Sequence, residues 1–486
     1  MSKYKTFRGG YRFKNFQGQP DDVLENVPIP LQVKIPLWQG FGAEVDCLVK
    51  AGDKVSAGQI IGRSEQNVSS PVHATINGTV RNIIRSNYLD QSCLIVSIDG
   101  DGSSEYQKIP DASSNWRQLS TDQIEDILYT SGVSALGYEG IPTRFNSSII
   151  QPGDVENVIV QMIGSEPYNL SPRILLQDKK ILVEGLQILH KVMPGANFHL
   201  ALDNNHKRIL QEVSEEFIKY EQNLKPKFPQ NHKAILVKTV LGKRFPYGYS
   251  AANIGVVILD LQSVLQVYEA VVEGKPLIER TIALCGTALK KPLHIKARIG
   301  TILNDLIGSR MKDDIPARFV LNSLLSGMAL DDLLLPIDRT YSQIMAIHEN
   351  RDREFLAFIR PGSRRDSYSH TFMSSFLPEV QRTCDTNRHG EERPCISCNY
   401  CEEVCPVNII PHILSKYVQR SIIDETLANL HIFDCIQCGL CSYVCPSKIP
   451  LAQHIKEGTE MLSEQGCTRD QCILHYFDNI KGETRL

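Results

Sequence analysis

The sequence has no run of the ~18 uninterrupted apolar residues that a membrane-spanning helix needs. Its best stretch, Ile254 to Leu259, is soon broken by Asp260 and Gln262, so the chain is expected not to cross a membrane by itself. The start, MSKYKTFRGGYRFKNF, lacks the apolar core of a secretory signal. An excess of either charge is missing too. Lys and Arg number 52 against 55 Asp and Glu, a net charge of -3, which leaves no whole-chain argument for nucleic-acid binding. Cysteine, by contrast, is plentiful, at 14 of 486 residues. Without an export signal, that usage implies a reducing compartment, and a cytoplasmic location is expected. A chain of this length is expected to hold roughly three to five domains.

Eight of the cysteines fall in one stretch. It reads Cys395-Ile-Ser-Cys398-Asn-Tyr-Cys401-Glu-Glu-Val-Cys405-Pro406 and later Cys435-Ile-Gln-Cys438-Gly-Leu-Cys441-Ser-Tyr-Val-Cys445-Pro446, the second copy starting 40 residues after the first. Two residues between cysteines let a tight loop turn three thiolates onto one cubic iron–sulfur cluster. The fourth cysteine, just before the proline, ligates the other cluster in two-cluster proteins. The spacing therefore predicts two [4Fe-4S] clusters, one on Cys395, Cys398, Cys401 and Cys445, the other on Cys435, Cys438, Cys441 and Cys405. A pair of zinc sites would need only paired Cys-x-x-Cys units, and cysteines kept as small core residues would need no spacing at all. Neither explains a third cysteine, a fourth and a proline, twice over.

Between the motifs, Ile410, Ile413, Leu414, Tyr417, Val418 and Ile422 recur at helical spacing, and Leu451, Ile455, Met461 and Leu462 predict a second helix. The segment resembles the all-helical ferredoxin domains of respiratory and anaerobic electron-transfer complexes. Of the other cysteines, Cys47, Cys93 and Cys285 are expected to be buried, while Cys384, Cys467 and Cys472 lack ligand spacing.

The first 16 residues carry five basic and five aromatic side chains and no acid. They are expected to pack along a neighbouring domain; docking on a partner or on anionic lipid is the alternative. From about 30 to 100, short alternating segments with glycine turns, including Val49–Gly62 and Ser70–Val80, resemble the barrel-sandwich hybrid fold of lipoyl and biotinyl domains. No lysine lies between Gly62 and Pro71 to carry a prosthetic group, so this unit is expected to be a scaffold. His73 is expected to be a hydrogen-bonded strand residue rather than a ligand. Further on, buried strands are predicted at 158–163, 198–202, 234–237 and 254–259, with helices at 181–192 and 206–220, an α/β unit with a largely parallel sheet. Its ligand site is expected beyond the strand ends. Short strands at 280–285 and 294–298 precede a helical 304–307.

The loop Ser131-Gly132-Val133-Ser134-Ala135-Leu136-Gly137-Tyr138-Glu139-Gly140-Ile141-Pro142-Thr143 resembles the flavin-binding glycine loop of the RnfC family, itself related to the flavoprotein component of respiratory complex I. Ser165-Glu166-Pro167-Tyr168, the segment from Ser70 to Val80 and both cysteine motifs are similar to that family as well. The resemblance spans nearly the whole chain and implies that 275–349 is a β-grasp domain. Arg353 to Ser363 and Ser369 to Phe372 look instead like NqrA, a component of the sodium-translocating NADH:quinone reductase, so the chain resembles an NqrA that keeps an RnfC-type ferredoxin domain.

The resemblance also implies FMN and NAD(H), but three positions oppose a flavin phosphate. Tyr138 puts a ring where the family has glycine, Glu139 puts a carboxylate where an anion would bind, and Asn146 takes the place of a lysine counter-charge. No catalytic residue is expected.

The expected organisation is multidomain α/β plus β: an N-terminal contact arm (1–29), a barrel-sandwich hybrid (30–108), a complex I flavoprotein-like α/β domain (109–274), the β-grasp domain (275–349), a linker (350–385), an all-helical two-cluster ferredoxin domain (386–465) and a tail (466–486). The expected function is that of a peripheral electron-transfer subunit on the inner face of the cell membrane. It would relay single electrons to membrane-embedded subunits of an Rnf/Nqr-type complex, from a soluble flavoprotein or ferredoxin donor. The alternatives are an FMN- and NADH-binding dehydrogenase subunit, or a scaffold docking a separate flavoprotein or quinone.

Overall fold

The computed structural model describes residues 4–65, 67–176, 179–203, 221–246, 249–352, 368 and 380–467. The helix expected at 206–220, the NqrA-like stretches, most of the linker, Cys472 and most of the tail lie outside them. Among the described residues no helix is long and apolar enough to cross a membrane.

The barrel unit is antiparallel throughout. Strands Gln32–Pro36, Gln91–Gly100, Gly78–Tyr88 and Lys54–Val55 form one sheet in that order, facing a second of Asp46–Cys47, Ile60–Arg63 and Val72–His73. Strand alternation sends Val33, Ile35, Val80, Val96 and Ile98 into one core. His73 is buried, with Nε2 2.8 Å from the Thr130 carbonyl, and burial lowers its pKa to about 4. It behaves as a hydrogen-bonded core histidine. Cys93 and Cys285 are buried as expected, but Cys47 is only half-buried, because its two-residue strand sits at the edge of the smaller sheet.

The α/β unit has a four-stranded sheet, Glu221–Asn223, Asn197–Leu202, Asn157–Gln161 and Val256–Asp260 in spatial order, every pair parallel. Such strands are covered on both faces and read as near-continuous apolar runs. Helices Thr121–Thr130, Lys179–Val192 and Leu261–Tyr268 cover one face. The other is covered by Lys233–Leu241, and here the expectation fails: Ala234–Val237 is helix, not strand. Four successive apolar residues carry no period to separate the two. The decision lies at the ends, where His232 caps Ala234 and Gly242 stops the helix at φ 74°.

A six-stranded mixed sheet follows, ordered Leu24–Asn26, Leu293–Arg298, Glu279–Cys285, Gln343–His348, Ala317–Leu321, Met328–Leu330. Helix Leu303–Ile307 packs into its core. From 386 to 467 the described elements are helical, with Pro411–Gln419 and Leu451–Glu464 at the core and Leu414, Val418, Ile455 and Leu462 buried between them.

The N-terminal arm joins these units. Lys5 bridges to Leu224 beside the parallel sheet, while Tyr11 exchanges two backbone hydrogen bonds with Phe228. Gly10 N donates to the Val404 carbonyl at 2.8 Å. Gly9 has φ +75°, and a Cβ there would lie 2.6 Å from the Cys405 carbonyl oxygen. Only glycine fits so close a backbone approach in that conformation. Phe7 is buried against Ile235 and Ile436, with the Lys227 ammonium over its ring. The basic, aromatic arm thus packs along neighbouring units of its own chain.

Candidate functional site

The eight motif cysteines surround two cavities in crossed sets. Cys395, Cys398, Cys401 and Cys445 line one, about 330 Å³ of empty space with its open mouth included. Cys405, Cys435, Cys438 and Cys441 line the other, about 340 Å³ measured the same way. The duplication extends to the backbone. Ser397 and Gln437 have φ of 54° and 51°, Asn399 and Gly439 62° and 76°, and Asn408 and Lys448 61° and 58°. These left-handed residues turn each loop inward, and the amides of Ser397 and Gln437 each donate to the first thiol of their motif, Cys395 and Cys435, at 3.4 Å. Prolines 406 and 446 then lead the chain away, so the fourth cysteine of each motif faces the opposite cavity.

The donor set suits a cationic inorganic cluster. Burial pushes the Cys401 thiol up to about 11 and Cys438 to about 12. Bare thiols would stay protonated there, whereas a bound metal makes a coordinating thiol a thiolate outright. His412, which the spacing of the cysteines did not reveal, stands with Nδ1 3.6 Å from Cys401 Sγ and lines the first cavity. Among the described residues no three His, Cys, Asp or Glu side chains are arranged to hold a single metal ion.

A larger cleft adjoins the second cavity. It offers about 1660 Å³ of empty space, its open mouth included, and Cys438 lines both it and the cavity. Its walls include Gly137 and Tyr138, the ends of the parallel strands at Gln161 and Asp260, Glu166, and residues 322–343 of the six-stranded unit. A cleft beyond the carboxyl ends of parallel strands is where an open α/β sheet places a ligand. Ser165-Glu166-Pro167-Tyr168 is fixed beside it. Asn231 Nδ2 and the Leu324 amide donate to the Glu166 carboxylate at 2.8 and 3.2 Å, and burial still raises its pKa to about 7.

Two of the three positions expected to repel a flavin phosphate lie elsewhere. Glu139 is fully buried and is not among the residues lining the cleft. Neither carboxylate oxygen has a hydrogen bond in good geometry, although Lys233, Ser250 and nearby amides stand close enough to offset part of the burial that raises its pKa to about 7. The tight turns at Gly137 and Gly140, φ 88° and 76°, send the side chains of 138 and 139 to opposite sides. Asn146 is exposed and absent from the lining, its carbonyl accepting from Ser69 N. Tyr138 does line the cleft, its hydroxyl 3.3 Å from the Asn231 carbonyl. Arg280 and Arg339, both buried at the cleft, carry no sequence signal, since only the packing of separate units brings them there.

Three family models match the chain: the RnfC barrel sandwich hybrid domain over residues 5–102, the Nuo51 FMN-binding domain over 128–269 and the 4Fe-4S dicluster domain over 394–449. The C component of the proton-translocating ferredoxin:NAD(+) oxidoreductase complex of Clostridium ljungdahlii is 28% identical over 469 residues, covering 93% of each chain. The C component of the ion-translocating oxidoreductase complex of Pectobacterium carotovorum is 30% identical over 89% of this chain and 54% of its own length. Its counterpart from Serratia proteamaculans is 29% identical over 93% and 60%. The chain thus spans nearly all of the clostridial relative and little over half of the other two. Fold and site define an iron–sulfur protein built on a flavoprotein-like α/β unit. Within that class, the chain is similar to the RnfC family over most of its length.

Proposed function

We propose that this chain is the peripheral electron-transfer subunit of an Rnf-type ion-translocating oxidoreductase complex, on the cytoplasmic face of the membrane, relaying single electrons through two [4Fe-4S] clusters. The crossed lining of the two cavities carries the reading: Cys395, Cys398, Cys401 and Cys445 hold one cluster, and Cys435, Cys438, Cys441 and Cys405 the other. Such a cluster, when bound, exchanges one electron at a time at a potential set by hydrogen bonds to its sulfurs and by solvent exposure. The chain's own residues supply those settings. The Ser397 and Gln437 amides and His412 address the sulfurs, while buried Leu440 and Val444 exclude water beside Cys438. Cys438 makes the second site the inner one, facing the cleft. The first shares no lining residue with the cleft, and Ile396 in its loop is 68% exposed, which suits exchange with a partner.

Within this reading, 386–465 is a helical ferredoxin domain and 275–349 a β-grasp domain. The latter is supported by the order of its own five strands, second, first, fifth, third, fourth. The other units take the boundaries that the sequence predicts.

A second reading, a flavin- and NADH-binding dehydrogenase subunit, is favoured by the match of 128–269 to an FMN-binding domain and by the cleft beside Cys438. It is opposed by Tyr138. Anaerobic purification with joint assay of iron, acid-labile sulfide and flavin separates the two. About eight irons per chain, no flavin and no bleaching by NADH support the relay. Bound FMN with NADH-dependent bleaching supports the dehydrogenase, and zinc in place of iron refutes both.

A further inference from the structure

Charge is divided unevenly between the walls of the cleft. The α/β side contributes Glu166, Asp260 and His232, whose burial lowers its pKa to about 4, and no lysine or arginine among the described residues. The cations come from the six-stranded unit opposite, as Arg280 and Arg339. Arg280 is committed, its Nη1 donating to Gln266 Oε1 at 2.8 Å and its Nη2 3.6 Å from Asp260. Arg339 is not. It is 6% exposed, and its Nε donates to the Gln39 carbonyl at 2.9 Å. Neighbouring Asp338 is occupied by Tyr88 and Thr340. Neither Nη of Arg339 has a hydrogen bond or a carboxylate within 4.0 Å among the described residues. The charge of Asp338 offsets only part of the burial of this guanidinium, which is costly to bury without a full counter-charge, and its planar fork matches phosphate oxygens two at a time.

We propose that Arg339 is the phosphate-binding residue of this cleft, holding the anionic end of a phosphorylated ligand from the wall opposite the glycine loop. The loop itself brings no cation to the cleft, so the counter-charge comes from another unit of the chain. The ligand's remaining, planar part then has the side of Glu166 and Cys438 available to it.

The test uses the full chain with its native metal content, freed of any flavin, and compares FMN with riboflavin, which differ only in the phosphate. Titration calorimetry is expected to show FMN binding tighter by roughly tenfold or more, the weight of a charge-assisted pair. Inorganic phosphate should weaken FMN binding and leave riboflavin unaffected, a control that needs no variant. Arg339→Gln should bring FMN down to the riboflavin level, with Arg339→Lys keeping part of the difference. ADP distinguishes the source of the phosphate: binding of ADP that Arg339→Gln abolishes, with no preference for FMN, assigns the residue to a nucleotide. Equal loss of FMN and riboflavin in Arg339→Gln would make the arginine a structural tie to Gln39 and overturn the proposal. So would the absence of any Arg339-dependent binding of FMN, ADP or phosphate. None of these outcomes depends on the iron count, so the relay reading stands or falls separately.

Discussion

The cysteine region and the cleft are built in opposite ways. Within 395–446, each cavity takes three thiols from one short loop and a fourth from its duplicate, and the backbone repeats its left-handed residues at the same 40-residue offset as the cysteines. The cleft draws its walls from Phe41 to Cys438, and no single segment owns it. A site of local ligands can be read from spacing, because loop geometry alone brings the atoms together. A site made by the packing of separate units depends on which face each unit presents, and spacing says nothing about that.

The largest expected effect tests the crossing of the thiols. Cys405→Ser should remove the centre on Cys435, Cys438 and Cys441, about four of about eight irons, and leave the signal of the other in low-temperature EPR. Cys445→Ser should do the reverse. Loss of the centre belonging to the mutated motif's own loop would break the crossed assignment.

The joint between the two regions is tested next. Gly9→Val places a Cβ against the Cys405 carbonyl at positive φ. It should cost roughly 2–4 kcal/mol in left-handed strain and overpacking, read as a lower melting temperature and faster proteolysis between 380 and 395. An unchanged melt would mean that the arm is not a strap.

Glu139 probes the buried side of the glycine loop. Its folded pKa of about 7 lies above the unfolded value near 4.5. Below the unfolded value both states hold the proton. Between there and about 7 the unfolded state has released it while the folded state keeps it, so stability falls as pH rises and stays lower above. Glu139→Gln should therefore raise stability at pH 8 by roughly 3 kcal/mol and leave it nearly unchanged at pH 4. Glu166 has the same sign, so a gentler slope should persist. A variant equally stabilised at both pH values would contradict the burial argument.

The smallest effect sharpens the account of the cleft. Tyr138→Gly should improve flavin binding by about tenfold if the ring alone obstructs it. No gain would place the obstruction elsewhere.

Much of the fold is legible in the sequence because its signals are local. The parallel strands at 157–161, 197–202 and 256–260 are dense in buried aliphatics, helix 179–192 has a clear apolar stripe, and the glycine turns of the barrel are where the sequence has them. Ala234–Val237 misleads because a fully buried helix and a fully buried strand show the same four apolar residues. Glu139 misleads because sequence order cannot tell which side of a turn a side chain takes, and Gly137 and Gly140 decide it.

By itself, then, the sequence determined which thiols gather at each cavity, three from one loop and a crossing fourth from its duplicate, since two-residue spacing and a following proline leave a loop few ways to turn. Only the tertiary structure decided that Cys438 faces the cleft, that Gly9 locks the arm onto Cys405, and that the one uncommitted arginine at the cleft, among the described residues, comes from the unit opposite the glycine loop. Those facts follow from close packing between surfaces far apart in the chain, where burial and steric fit, not local pattern, select the partner.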